Sequence, residues 1–141
     1  MSRTYIPTAL RQLVYDRAQG CCEYCLVSDR LTLAPHEIDH IIAEKHGGST
    51  SAENLALACV LCNKRKGSDI ASIDPETGEV SALFHPRKDV WHQHFQQSGA
   101  RFLPLTLKGR TTLQLLQLNQ QSRLEERLLL IDAGLLSQDK I

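Results

Sequence analysis

The sequence predicts an α+β fold in one domain, residues 1–141, with a core over 20–70 and an α-rich C-terminal extension over 71–141. Three observations predict it. Apolar residues recur at helical spacing near both ends of the chain. An isoleucine-rich stretch, Ile38, Ile41 and Ile42, reads as a strand. Two Cys-x-x-Cys pairs, Cys22/Cys25 and Cys59/Cys62, flank that strand.

The elements follow in order. Thr8 to Ala18 reads as a helix: Pro7 suits a first helical position, Leu10, Leu13, Val14 and Arg17 share a face, and Gly20 ends it. "CCEYC" is too tight for a long element and suits a metal knuckle. "DRLTLAPHEIDHII" reads as extended chain with a turn near Ala34-Pro35, and "EKHGGSTSAEN" as a loop. "NLALACVLCNKRKGSD" reads as a second knuckle running into a helix. Asp74-Pro75 and Thr77-Gly78 punctuate a turn and short strand, and "PRKDVWHQHF" reads as a short helix. From Thr106 to Gly134 the pattern is helical, with Leu113, Leu116, Leu124, Leu128 and Ile131 facing the core. Asn119–Ser122 breaks it, with Ser122 as a cap and Glu125 three residues on.

Composition narrows the function classes. Lys plus Arg and Asp plus Glu number 16 each, so no global basic charge announces nucleic acid, and any anion-binding surface must come from local clusters. No stretch approaches the ~18 apolar residues of a membrane span, and the start has no apolar run of the signal-peptide kind. The expected compartment is therefore the reducing cytoplasm, where five cysteines point to metal or reactivity rather than disulfides.

Two intervening residues bring both sulfurs of a Cys-x-x-Cys pair to one side of a tight turn. Cys22, Cys25, Cys59 and Cys62 together make a closed structural zinc site. The 33 residues between the pairs exceed the spacing of a simple ribbon, so a further element is inserted there. Cys21 is left over; it could replace Cys22, at poorer spacing. Zinc would supply stability that a small core lacks.

The insert holds "HEIDHIIAEKHGG", with Asp39 beside His40; as neighbours on a strand they point to opposite faces. Phosphodiester hydrolysis needs a base for water and positive charge near the phosphate oxygens. His40 is a candidate base, since imidazole titrates near neutrality. Asp39 offers a hard oxygen of the type Mg²⁺ or Mn²⁺ prefers, and Asn63 at a helix start offers a second. Asn54, at the end of the loop, can bond backbone groups across it. Lys64, Arg65 and Lys66 follow on one helical turn and are candidate phosphate contacts.

Taken together, "CEYC" and "IDHIIAEKHGGSTSAENLALACVLCNKRKG" resemble an HNH endonuclease of the four-cysteine, ββα-metal type, over roughly Cys22 to Gly67. The resemblance implies a treble-clef-like core with structural zinc and cleavage of DNA. It implies His40 as general base, Asp39 and Asn63 as ligands of a catalytic Mg²⁺ or Mn²⁺, and Asn54 as the residue ordering the loop. Asn63 stands where many relatives have His, which marks an H-N-N variant and favours hard cations. Ala43 stands where many have proline. The alternative is an inactive zinc-stapled adaptor that binds DNA or protein.

Overall fold

The computed structural model describes residues 4–136. Its first helix, α1 (Thr8–Ala18), contains no glycine or proline and lays Val14, fully buried, with Leu10 and Ile6 against Leu55 and Leu57. Pro7 is the residue before the helix rather than its first member. Gln19 takes the left-handed conformation at the far end, and its N–H bonds back to the Asp16 carbonyl.

The next unit is a hairpin followed by a helix. β1 (Glu37–His40) pairs antiparallel with β2 (Leu55–Ala58), with Glu37 opposite Ala58 and His40 opposite Leu55. The loop between them is shaped by single 3-10 turns at Glu44–His46 and Ala52–Asn54. All four residues of β2 are buried, because α1 packs near it and the knuckles and α2 lie beyond it. α2 (Val60–Lys66) begins immediately, with Cys59 as its cap: the Cys59 sulfur accepts from the Cys62 N–H.

The extension holds more strand than its sequence suggests. β3 (Ala71–Ile73) and β4 (Val80–Ala82) form a hairpin around Asp74, whose carboxylate accepts from the Glu76 and Thr77 N–H groups. α3 (Trp91–His94) leads into a second hairpin, β5 (Phe95–Ser98) with β6 (Arg101–Pro104), which the sequence reading missed. Its signal was present: Phe95, Gln97 and Phe102 alternate inward, and Gly99 sits in the turn with φ +59°. Among the described residues, the expected α-rich extension is therefore two hairpins and three helices.

α4 (Leu107–Leu116) is capped by the Thr106 hydroxyl, which accepts from the Gly109 N–H. α5 (Gln121–Asp132) starts after Gln120, so Ser122 lies inside the helix and not at its cap. The helix also turns a different face inward. Arg123, Arg127 and Leu130 are its buried residues, whereas Leu128 is 50 % exposed.

One apolar cluster joins both halves of the chain. It includes the four knuckle cysteines, Tyr24, Val27 and Ala58 with Phe84, Phe95, Phe102, Leu116, Leu118 and Leu130. Trp91 seals it, its ring 5.1 Å from Phe95 and 4.9 Å from Phe102. Within the described residues, no helix is long and apolar enough to cross a membrane.

Candidate active site and metal centre

The thiols of Cys22, Cys25, Cys59 and Cys62 lie within 4.8 Å of one another, all buried. Each pair closes a turn in which one N–H points at the earlier sulfur: Cys25 at Cys22, and Cys62 at Cys59, both 3.4 Å. The Cys25 and Cys59 sulfurs are 3.6 Å apart. A tetrahedron with metal–sulfur bonds of ~2.3 Å has an edge of ~3.8 Å. Four buried thiols cannot share negative charge evenly on their own. Burial pushes Cys22 up and the neighbouring thiols push Cys62 up, while the same neighbours, donating to Cys59, hold it far below the ordinary thiol range. A divalent ion bound to all four sulfurs relieves that conflict, so the donor set fits structural zinc. Cys21 stands outside the quartet, its thiol 3.6 Å from the Gln19 carbonyl.

The first knuckle is zipped to β2 by Glu23. Its N–H donates to the Leu57 carbonyl at 2.9 Å, and its carboxylate accepts from the Leu57 N–H at 2.8 Å. This brings Tyr24, between the two cysteines, over β1. The Tyr24 hydroxyl donates to Asp39 Oδ2 at 2.8 Å. Burial and the adjacent Asp39 charge raise the phenol, so it stays protonated and acts as a donor.

β1 and α2 meet through two rungs. Asn63 donates its Nδ2 to Glu37 Oε1 at 2.7 Å. One helical turn on, the Lys66 ammonium reaches Asp39 Oδ1 at 3.3 Å and Oδ2 at 3.2 Å, with the His40 and Ile41 carbonyls at 3.3 and 2.9 Å. Burial pushes the Asp39 carboxyl up, against the pull of Lys66 and Tyr24. Because Glu37 takes the Asn63 amide nitrogen, the amide oxygen is left as its ligand atom. Asp39 and Asn63 carry oxygens of the hard donor type, and Lys66 and Tyr24 contact both oxygens of Asp39.

The loop after β1 is tied by Asn54. Its Oδ1 accepts from the Ile42 N–H at 2.9 Å, and its Nδ2 donates to the Ile42 and Ser49 carbonyls at 2.9 and 2.7 Å. Gly48 permits the approach: a Cβ there would lie 1.7 Å from the Ile42 carbonyl oxygen. The closed loop sets Thr50 against the His40 ring, with Thr50 Oγ1 2.9 Å from Nε2. Nδ1 is then the ring nitrogen left for a proton from outside.

A cleft of about 1270 Å³ is bordered by Glu37, Asp39, His40, Asn63, Lys64 and Arg11. Strand alternation assigns Asp39 and His40 to opposite faces, yet both border this one cleft. β1 ends at His40, where the chain leaves the strand, and Asp39 lies against Lys66 of α2.

The basic triad divides. Lys64 is exposed at the cleft. Lys66, expected to touch phosphate, is 2 % exposed and holds the hairpin instead, because its turn of α2 faces β1. Arg65 donates to the Leu116 carbonyl at 3.1 Å and to Gln120, tying α2 to the extension. Beyond the triad, Lys108 pairs with Asp89, Arg110 with Asp74 and Arg87 with Glu23. Sequence reasoning did not single out Tyr24, Thr50 or the Lys66–Asp39 pair. Tyr24 carried a signal, being a large hydroxyl-bearing residue inside a knuckle; Thr50 carried none beyond its place in a polar loop.

Among curated proteins and solved structures, none matches the chain. Within the 141 residues, the segment that holds both thiol pairs, the Asp39–His40 pair, Asn54 and Asn63 is also the one that matches a known family: residues 22–69 match the HNH endonuclease family.

Proposed function

We propose that the chain is a metal-dependent endonuclease that hydrolyses DNA phosphodiester bonds. The observation that carries this reading is the shared cleft: one imidazole, two hard-oxygen donors and an exposed lysine border it, all inside the matched segment.

His40 is the general base. Thr50 holds Nε2, so Nδ1 faces the water whose proton it takes. The water oxygen then bonds to phosphorus as the bond to the leaving oxygen breaks, and solvent supplies the proton that the leaving oxygen needs. Asp39 and Asn63 would hold a single Mg²⁺ or Mn²⁺, which when bound supplies positive charge beside the leaving oxygen. Lys66 and Tyr24 keep the Asp39 carboxylate in one orientation; they are positioning residues. Asn54 keeps the loop closed so that Thr50 reaches His40. Lys64 meets the phosphate backbone. The thiol-bound zinc is structural.

Nicking of supercoiled plasmid with Mg²⁺ or Mn²⁺ tests the reading. His40→Ala should lose roughly 10²- to 10⁴-fold in rate while still binding DNA, the usual worth of a positioned base. If wild type and His40→Ala both bind DNA and neither nicks it with any metal, the chain is an adaptor instead.

A further inference from the structure

The metal centre has a contact that comes from the far end of the chain. Arg123, on α5, is 3 % exposed, and its Nη1 lies 3.0 Å from the Cys59 sulfur and 3.5 Å from that of Cys25. Its other terminal nitrogen pairs with Glu126 on the same helix. Arg127, one turn further, does not reach the sulfurs. It donates to the Ala100 and Leu118 carbonyls at 2.6 Å each and stacks 3.9 Å over the Phe102 ring. The two buried arginines thus have separate tasks, one toward the thiols and one toward the fold.

We propose that Arg123 is an outer-sphere donor to the zinc thiolates, through which the C-terminal helix sets how tightly the metal is held. A site of four thiolates around one divalent ion carries net negative charge, and this one is fully enclosed. An N–H bond from a guanidinium lowers that charge and is strong because it is charge-assisted. Such contacts outside the ligand shell typically alter metal affinity by roughly 10- to 100-fold. Cys25 and Cys59 come one from each knuckle, so a single arginine braces the junction between the pairs. The proposal rests on the thiol quartet binding zinc and is independent of nuclease activity.

The test is zinc release from the full chain into excess chelator, read with a chromogenic zinc indicator. Wild type should hold one zinc per chain; protein that binds none would remove the site and the proposal with it. Arg123→Met should release zinc at least tenfold faster with circular dichroism and Trp91 emission unchanged. Arg127→Met, which loosens the same helix without touching sulfur, should accelerate release clearly less than Arg123→Met does. Equal acceleration in both variants, or an unchanged rate in a folded Arg123→Met, overturns the proposal.

Should Arg123→Met not fold, Arg123→Gln decides the matter after replacement of zinc by cobalt. Loss of a charged donor raises the energy of the sulfur lone pairs. The sulfur-to-cobalt charge-transfer band should therefore move to longer wavelength and release should quicken at least threefold. A wild-type band with a wild-type rate overturns the proposal.

Discussion

The β1–α2 face and helix α5 are built from opposite materials. On the first, charged and polar groups gather around a cleft, held by short turns such as the Asn54 loop and by ties between β1 and α2. On the second, two arginines enter the apolar core while leucines beside them face water: Leu128 and Leu129 are 50 % and 61 % exposed. Residue type alone says the reverse of both. The comparison teaches that polarity predicts location only until a buried partner is waiting. Arg127 finds two carbonyls and an aromatic ring; burial brings it down to about 10, so it remains charged at neutral pH. Lys66 finds a carboxylate and two carbonyls.

The largest expected effect falls where the two regions touch. Cys62→Ser removes a ligand buried beneath both and should abolish the cooperative melt. Structural zinc is worth on the order of 10 kcal/mol in small domains. Retention of a sharp transition without bound zinc would mean the core stands without metal.

Next comes a direct test of which face of α5 is inside. Arg127→Met leaves the Ala100 and Leu118 carbonyls without their donor, a loss of roughly 2–6 kcal/mol at 1–3 per orphaned group. Leu128→Ala, at an exposed position, should change stability by no more than about 0.5 kcal/mol. Urea unfolding of the pair decides it; a larger loss at Leu128 would put the leucine face inward.

On the β1–α2 side, Gly48→Ala drives a Cβ into the Ile42 carbonyl and should cost about 2 kcal/mol, in the range for local strain. Because the same loop carries Thr50 to His40, nicking should fall with stability. Undiminished activity would show that the loop does not hold the base.

The smallest effect is one of pH. The hydrogen bonds from Arg110 hold the buried Asp74 carboxyl well below the usual carboxylate range. A group depressed in the folded state stabilises above its unfolded pKa of ~3.9, and the effect is lost as pH falls through the folded value. Asp74→Asn should therefore lower the melting temperature at pH 7, with the difference shrinking only below about pH 4. A difference constant down to pH 2 would assign the effect to the turn's hydrogen bonds instead of its charge.

Much of the segment around the two knuckles was legible because its information is local. The Cys-x-x-Cys turns, the Asp39–His40 pair, Asn54 and Asn63 each act through spacing of a few residues or through one side chain on a neighbouring backbone. Even there the reading stopped short at Lys66, whose partner lies 27 residues earlier on β1. The β5–β6 hairpin was missed because "FQQSGARFLP" mixes apolar and polar residues without a run of β-branched ones, and its apolar residues only partly follow the inward positions.

By itself, then, the amino-acid order determined the thiol quartet and the boundaries of α1, both of which follow from periodicity and short-range spacing. The tertiary structure alone decided that Asp39 and His40 share one cleft, that Lys66 turns inward, and that Arg123 meets sulfurs 64 and 98 residues away. Such pairings leave no local mark. The Lys66–Asp39 and Arg123–sulfur pairings become favourable only once packing has excluded water from both partners, and no short window of sequence contains both.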